Sequence, residues 1–256
     1  MHKSLAFAVF LFAAVMLQSG VHAYFNETYL STTVTLSNNT AAHVTETVNL
    51  FVSNSSIAQY SQYRQAVNLT LNGWQQALGS GLVVEHILNP RSSISNFTLL
   101  PGPLVLNGNG GYAALTMSYY AGNVTNVANI APRKFEYSFN SSVFNFMHTA
   151  SGQSLFPNSK LVIVLPGGAQ LVSLYPAPDS PLANVSGGYS NSTIFIWDSG
   201  EPLQKFSFVY VMTQTPQQEV MAYITYVYYK YTLPVYAVMI IILVAIFAYI
   251  YLKVLR

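Results

Sequence analysis

The chain has 256 residues, of which 52% are hydrophobic and only 7% are charged. Soluble domains typically carry about 25% charged residues, so Asn, Ser, Thr, Gln and Tyr must supply most of the polar surface. The basic residues are scattered, which disfavours a nucleic-acid partner because phosphate binding needs clustered Lys and Arg. The absence of cysteine excludes disulfides, thiolate metal sites and cysteine nucleophiles.

The N-terminus predicts a secretory signal peptide over residues 1–23. A short basic start, Met1-His2-Lys3, precedes the apolar run Leu5–Leu17, and small residues lead up to Ala23. These three features in this order define a cleaved secretion signal. We expect cleavage between Ala23 and Tyr24. The alternative is an uncleaved anchor, for which the apolar run is short.

The segment that follows predicts a mainly β fold of one or two Ig-like β-sandwich modules. Thr28–Leu36 and Val44–Val52 alternate between polar and apolar residues, and Ser37–Thr40 joins them as a hairpin turn. The other predicted strands, separated by Gly, Pro and Asn clusters, are Leu82–Leu88, Ser95–Leu100, Tyr112–Tyr120, Lys134–Phe139, Lys160–Leu165, Ala169–Tyr175, Thr193–Trp197 and Lys205–Thr213. About ten short strands at this spacing are typical of a sandwich or a pair of them.

Helical patterns interrupt these strands. Ser56–Ala66 places apolar residues at helical spacing and, with Leu69–Leu78, predicts a helical insertion. Ser142–His148 predicts a short helix after an Asn-Ser-Ser cap. We place a boundary near residues 150–159, between an N-terminal module over 24–150 and a membrane-proximal module over 151–214; a simple loop is the alternative.

The order of motifs in Leu161–Tyr210 is distinctive. An apolar strand ends in Leu165-Pro166-Gly167-Gly168-Ala169, and Leu174-Tyr175-Pro176-Ala177-Pro178 follows. Ile196-Trp197-Asp198-Ser199-Gly200-Glu201-Pro202 and then Phe206–Tyr210 complete it. These 50 residues resemble the membrane-proximal β-sandwich modules of archaeal membrane-anchored cell-surface glycoproteins. The resemblance implies an Ig-like module and transfers no functional residue.

A helix is predicted to begin after residue 215. Thr215-Pro216-Gln217-Gln218 is a capping box, with Thr at the cap, Pro at the first helical position and Gln at the third. Val220, Ile224, Val227 and Tyr231 follow at helical spacing and predict a juxtamembrane stalk over 215–232. The alternative is a last strand over Val220–Tyr229, favoured by aromatic and β-branched residues.

Residues 233–252 predict a transmembrane helix, because they contain no charge and match the thickness of a bilayer core. Lys253 and Arg256 follow in a tail of four residues, and positive charge marks the cytoplasmic side. The expected orientation is single-pass in the cell membrane, with the N-terminus outside. Aromatic rings with polar edges favour membrane interfaces; the predicted anchors are Tyr226, Tyr228, Tyr229, Tyr231, Tyr249 and Tyr251.

The glycosylation motif Asn-x-Ser/Thr (the sequon) occurs nine times, a large share of the 19 asparagines. The nine positions are Asn26, Asn38, Asn54, Asn68, Asn96, Asn123, Asn140, Asn184 and Asn191. All of them fall between the two membrane signals, which predicts N-linked glycans on exposed turns and strand positions. The alternative is that Asn-rich turns produce the motif by accident.

No pattern predicts catalysis, a cofactor or a metal site. His43, His86 and His148 lack metal-ligand spacing and are expected to be structural. Asn107–Gly111 is glycine-rich but predicts a hairpin turn, since no helix follows it. Asp198 and Glu201 are too few carboxylates for calcium, and a turn beside a buried Trp197 is the expected structure.

Three functions compete at this point. The first is a non-enzymatic structural, adhesive or surface-layer protein whose partners are membrane lipid, N-linked glycans and other surface or membrane proteins. The second is an accessory or recognition subunit of a membrane complex. The third is an extracellular glycan-acting enzyme; such an enzyme uses two carboxylates that are close in space, and the sequence alone does not show which two these would be. The absence of disulfides points to a prokaryotic surface, and the shortage of charge suits an acidic exterior.

Overall fold

The computed structural model of the chain describes residues 25–66, 71–78, 93–144, 146–150, 152–183, 188–189, 192–199, 202–203, 205–226, 228, 230, 236 and 241–242. The fold is mainly β. The strands are β1 (Phe25–Leu36), β2 (Ala42–Ser53), β3 (Ile94–Pro101), β4 (Val105–Asn107), β5 (Gly110–Ala121), β6 (Thr125–Ala131), β7 (Lys134–Phe139), β8 (Met147–Thr149), β9 (Gly152–Ser154), β10 (Ser159–Val164), β11 (Gln170–Tyr175), β12 (Ile194–Asp198) and β13 (Ser207–Thr213). Two helices, α1 (Ile57–Gln65) and α2 (Leu71–Leu78), lie between β2 and β3, and α3 begins at residue 216.

The strands form two main sheets. Sheet A has seven strands in the order β12-β10-β1-β2-β5-β3, with β4 also paired to β5. Sheet B has the order β11-β13-β7-β6, and β8 and β9 form a separate ribbon. In sheet A the β1–β10 pair is parallel, and the other pairs are antiparallel. The parallel pair joins the first strand to one that comes more than 120 residues later.

Alternation along the strands sets the core. On β2, Val44, Val48, Leu50 and Val52 are buried together with Glu46 on the same face, while the alternate residues are partly or fully exposed. Because successive strand residues point to opposite faces, a period of two buries one face of the sheet. Aromatic side chains of the two sheets then contact each other. Phe195 of sheet A and Phe208 of sheet B have ring centroids 5.4 Å apart in an edge-to-face arrangement.

The turn between β1 and β2 is held by two tyrosines of sheet B. The Tyr137 hydroxyl donates to the Asn38 carbonyl at 2.9 Å, and the Tyr210 hydroxyl donates to the Ser37 carbonyl at 3.3 Å. Their rings stack with centroids 4.9 Å apart. Buried tyrosine hydroxyls need a partner, and backbone carbonyls of the turn supply it. The position of this turn therefore depends on side chains from the other sheet.

The predicted helical insertion is confirmed. Tyr60 of α1 and Trp74 of α2 are buried, and both rings lie within 6.0 Å of the Phe25 ring at the start of β1. The Tyr60 hydroxyl donates to the Gly102 carbonyl at 2.8 Å. An aromatic cluster thus fixes the helices near one end of sheet A.

Most predicted strands are confirmed to within a few residues, and Leu82–Leu88 lies outside the described residues. The helix predicted over Ser142–His148 is wrong beyond a single 3-10 turn at Ser141–Val143, since β8 follows. The reason is that Phe144 and Phe146 are both buried, and their rings form a series with Phe139 and Phe206. Burial of residues two positions apart requires extended backbone rather than a helix.

The boundary predicted near residues 150–159 does not separate two units. Strands on either side of it pair directly, as β1 does with β10. Likewise, Leu161–Tyr210 does not form a module of its own, because β10 and β12 lie in sheet A while β11 and β13 lie in sheet B. One compact unit comprises the described residues up to Ala128 together with Glu136–Val211.

The second compact unit contains Asn129–Phe135 and the described residues from Met212 onward. Within it, the Gln214 backbone amide donates to the Arg133 carbonyl at 2.8 Å, and Arg133 pairs with Glu219 at 3.7 Å. Residues 216–226 are helical, so a strand over Val220–Tyr229 is wrong for that part.

The membrane signals fall largely outside the described part of the chain. Residues 1–23 and Tyr24 lie outside it, as do Tyr229, Tyr231, Tyr249, Tyr251, Lys253 and Arg256. Of the predicted span, positions 236, 241 and 242 are described, and they are helical. A search of the described residues finds no helix that combines the length and hydropathy needed to cross a membrane.

Candidate functional site

Six of the nine sequon asparagines are described, and five of them expose their side chains. Asn38 and Asn123 lie in turns, Asn54 follows β2, Asn96 lies at an irregularity of edge strand β3, and Asn26 is near the start of β1. None of these five side-chain amides hydrogen-bonds to a described residue. Asn96 and Asn123 have positive φ angles of 53° and 58°, which asparagine tolerates better than most residues. Asn68, Asn184 and Asn191 lie outside the described residues.

Asn140 differs from the other described sequon asparagines. Its side chain is half-buried, its Nδ2 donates to the Asn123 carbonyl at 3.2 Å, and its Oδ1 accepts from the Ser142 hydroxyl at 2.7 Å. Its backbone amide also donates to the Val124 carbonyl. Asn140 therefore links two turns, and it is the least exposed of the six described sequon asparagines.

A buried carboxyl group lies at the centre of sheet A. Glu46 of β2 is fully buried, between the inward-facing Thr32 of β1 and Met117 of β5 in the register of the sheet. The Tyr119 hydroxyl donates to Glu46 Oε1 at 2.6 Å. Glu46 Oε2 has no hydrogen-bond partner among the described residues. Such an orphaned oxygen is unusual, since buried polar groups are normally satisfied.

The pKa values of this pair follow from burial. Loss of water raises the pKa of Glu46 to about 8, although the hydrogen bond from Tyr119 opposes the shift. Burial also raises the pKa of the Tyr119 hydroxyl, and the neighbouring Glu46 raises it further. Both groups are therefore neutral in acid and at neutral pH. At neutral pH the Glu46 side chain is therefore an uncharged carboxylic acid in an apolar core rather than a solvated anion.

Sequence reasoning missed Glu46 although the signal was present. The alternation that identified Val44, Val48, Leu50 and Val52 as one face also places residue 46 on that face. A glutamate at an inward position among valines is a buried ionisable group by geometry. Glu46 belongs to no motif of ionisable residues, so only its spacing to the apolar residues of β2 reveals it.

The remaining sequence-predicted residues are dispersed. His43 Nε2 lies 2.7 Å from the Ser118 hydroxyl on the outer face of sheet A. His86 and the side chain of His148 lie outside the described part of the structure. Trp197 is buried as predicted, Asp198 is exposed beside it, and Glu201 is not described. In the described part of the chain no three His, Asp or Glu side chains come together as metal ligands.

The glycine-rich segment Asn107–Gly111 is confirmed as a hairpin turn between β4 and β5, with Asn107 paired to Gly110. Gly110 has a φ of +154°, and a side chain there would collide with the Val52 carbonyl and the Phe51 ring. Glycine is required because β2 approaches β5 closely at this point.

An open groove of about 720 Å³ runs along edge strand β11. Its described lining offers hydroxyl and amide groups from Gln170, Ser173, Ser192 and Thr193, together with the ring of Tyr189. These groups can hydrogen-bond to a neutral ligand. The described lining contains no carboxylate or histidine that would act as an acid or base.

The start of α3 is built as the sequence predicts. The Thr215 backbone amide donates to Gln218 Oε1 at 2.9 Å, and the Gln218 amide donates to Thr215 Oγ1 at 3.2 Å. Beyond this cap, apolar side chains are exposed on all sides of the helix, among them Val220, Met221, Tyr223, Ile224, Tyr226 and Tyr228. A helix that is apolar all round is normally buried in protein or lipid.

No family model matches the sequence, and no curated protein is similar enough to count as a relative.

Proposed function

We propose that the chain is a non-enzymatic, glycosylated single-pass protein of the cell surface, with a structural, adhesive or surface-layer role. The placement of the sequons carries this proposal. Five of the six described sequon asparagines expose their side chains at turns, element ends or an edge strand, where a glycan fits without disturbing the core. Asparagine is mostly exposed in any folded protein, so it is the combination of accessible side chains with nine sequons among 19 asparagines that favours glycosylation.

The outer face of sheet A supports a role in neutral contacts. Thr33, Thr45, Ser118 and Thr98 lie in one row across four strands, because the register pairs each with the next. Paired residues share a face of the sheet. A row of hydroxyls on a nearly uncharged face suits contact with glycans or with other uncharged polar surfaces.

We further propose that sheets A and B form one Ig-like sandwich of the kind found in archaeal surface glycoproteins.

The neutral core carboxyl supports an acidic exterior. Because burial raises the pKa of Glu46 to about 8, the folded chain holds this proton where the unfolded chain releases it, and the fold is most stable towards acid. Because the chain has only eight Asp and Glu residues, few charges change when acid protonates them.

Glycopeptide mass spectrometry of protein from the native host tests the proposal. We expect hexose-containing modifications at the exposed sequons, a mature N-terminus at Tyr24, and extraction by detergent but not by salt. We expect lower occupancy at Asn140 than at Asn123, because the Asn140 amide is engaged and half-buried. An unmodified chain, or one beginning at Met1, would contradict the glycoprotein or the signal-peptide part respectively.

The exposed apolar side chains of α3 favour a second candidate, an accessory subunit whose helix packs against a partner in a membrane complex. Val220, Ile224 and Tyr228 follow helical spacing and are exposed in the isolated chain. Purification in mild detergent separates the two. A stoichiometric partner that is lost on Ile224→Lys, but not on Gln217→Lys, supports the subunit; copies without a partner support the structural role.

A further inference from the structure

A row of outward-facing side chains crosses sheet A beside the first sequon. Asn26 of β1 pairs with Phe51 of β2, Phe51 pairs with Tyr112 of β5, and Tyr112 pairs with Val105 of β4. Cross-strand partners share a face, with Cβ atoms about 4.5–5.5 Å apart. The row therefore begins at a glycosylation asparagine and continues as three apolar side chains.

Two of the three apolar side chains are exposed, and Phe51 is partly exposed. Tyr112 is 50% exposed and Val105 is 66% exposed. The Phe51 and Tyr112 rings have centroids 5.4 Å apart with planes tilted by 57°. The edge of the Phe51 ring lies over Gly110, where a Cβ would come within 3.1 Å of its Cζ. The rings thus form a shallow apolar platform.

The surroundings of this platform favour a sugar over a protein side chain. The row contains no charged residue, and the side-chain amide of Asn26 makes no hydrogen bond to a described residue. Asn38, in contrast, lies in a turn between Ser37 and Asn39 with no ring paired to it. Contiguous exposed apolar side chains usually mark a surface that something covers. A glycan on Asn26 would lie next to these side chains and could cover them.

We propose that the first sugar of the Asn26 glycan packs on the Phe51 ring and that the glycan continues over Tyr112. The inference rests on the proposed function in one respect, that Asn26 is glycosylated. A pyranose ring presents C–H groups on one face, which pack on an aromatic ring while the hydroxyls at the edge of the sugar stay in water. The glycan then covers the apolar row and stabilises the end of sheet A where β1 begins.

A double-mutant cycle in the native host tests the contact. We compare the melting temperatures of the unaltered protein, Asn26→Gln, Phe51→Thr and the double variant. Loss of the glycan should lower the melting temperature by about 2–4 °C when Phe51 is present and by much less in Phe51→Thr. Asn38→Gln is the matched control, and its effect should be the same in both backgrounds.

Nitration of tyrosine provides a second readout that needs no change to the platform. Tyr112 should react more slowly than Tyr120 in the glycosylated protein, although Tyr120 on the same strand and face is 47% exposed. In Asn26→Gln the two rates should become similar. If Asn26 is glycosylated, Tyr112 and Tyr120 are nitrated at equal rates, and the two substitutions change the melting temperature additively, then the glycan does not pack on Phe51. That result would leave the proposed function standing. An unoccupied Asn26 overturns the inference together with that part of the proposed function.

Discussion

Glu46 makes the stability of the sheet core depend on pH in a defined direction. In the unfolded chain the Glu46 carboxyl has its ordinary pKa of about 4.5, whereas burial raises the pKa to about 8 in the folded state. Between these values the unfolded chain has released the proton and the folded chain retains it. The free energy of unfolding therefore falls as pH rises from about 4.5 to about 8.

The first prediction is that Glu46→Gln removes this pH dependence. The carboxyl accounts for a loss of about 1.4 kcal/mol per pH unit, or about 5 kcal/mol over the whole window. Glutamine keeps the shape and still accepts the Tyr119 hydrogen bond, but it does not titrate. Chemical denaturation at pH 5, 6, 7 and 8 measures the slope. Glu219→Gln, at an exposed position, should leave the slope unchanged; a slope that persists in Glu46→Gln would assign it to another group.

The second prediction concerns the tyrosine that holds the turn of Asn38. Tyr137→Phe removes the hydroxyl that donates to the Asn38 carbonyl at 2.9 Å and leaves that carbonyl without this donor. We expect a loss of about 1 kcal/mol and a melting temperature lower by about 2–4 °C. Tyr120→Phe is the control, since its ring is half-exposed on the outer face. Equal effects of the two substitutions would show that the buried hydrogen bond contributes nothing.

At the scale of single elements, sequence patterns correctly predicted the elements whose conformation depends on neighbouring residues in the chain. The β1–β2 hairpin follows from alternation and an Asn-rich turn, and the cap of α3 follows from Thr215 and Gln218, whose side chains each accept a hydrogen bond from the backbone amide of the other. Ser142–His148 failed because the burial of Phe144 and Phe146 against Phe206 outweighs the local cap. The contact that decided its conformation is 60 residues away along the chain.

The third prediction tests the cap of α3. Thr215→Ala removes the side-chain oxygen that accepts from the Gln218 amide, which should cost the helix about 1 kcal/mol. Amide hydrogen exchange at Gln218 and Glu219 should accelerate about fivefold, since exchange reports local opening. Gln217→Ala, in the same turn but outside the cap, should not accelerate it. Unchanged exchange in Thr215→Ala would show that the helix start is held by other contacts.

At the scale of the whole molecule, pairing between distant strands was beyond prediction. Leu30 pairs with Ser159 in the parallel β1–β10 ladder, and nothing in either segment specifies the other. Any strand with an apolar face and a free edge would fit β1 equally well by pattern alone. The predicted division near residue 150 failed for the same reason, because the segments on either side are joined by this ladder and by the shared aromatic core rather than by proximity in sequence.

The last prediction is that a chain ending at Gln214 folds as a soluble domain. Strand β13 ends at Thr213, so truncation there leaves every strand of sheets A and B intact. The loss includes the exposed Arg133–Glu219 pair, and exposed ion pairs contribute little. It also removes the exposed apolar side chains of α3, which should lower the tendency to aggregate. The truncated chain should therefore be monomeric without detergent.

Size-exclusion chromatography and thermal unfolding of the truncated chain measure its oligomeric state and its stability. Its melting temperature should match that of the full chain in detergent. A chain ending at Phe206 is the control: it lacks β13 and the buried Phe208 and Tyr210, so it should not fold. Aggregation of the chain ending at Gln214 would show that residues beyond 214 complete the domain. If the full protein nevertheless required detergent for extraction, those residues would serve both the fold and the anchor.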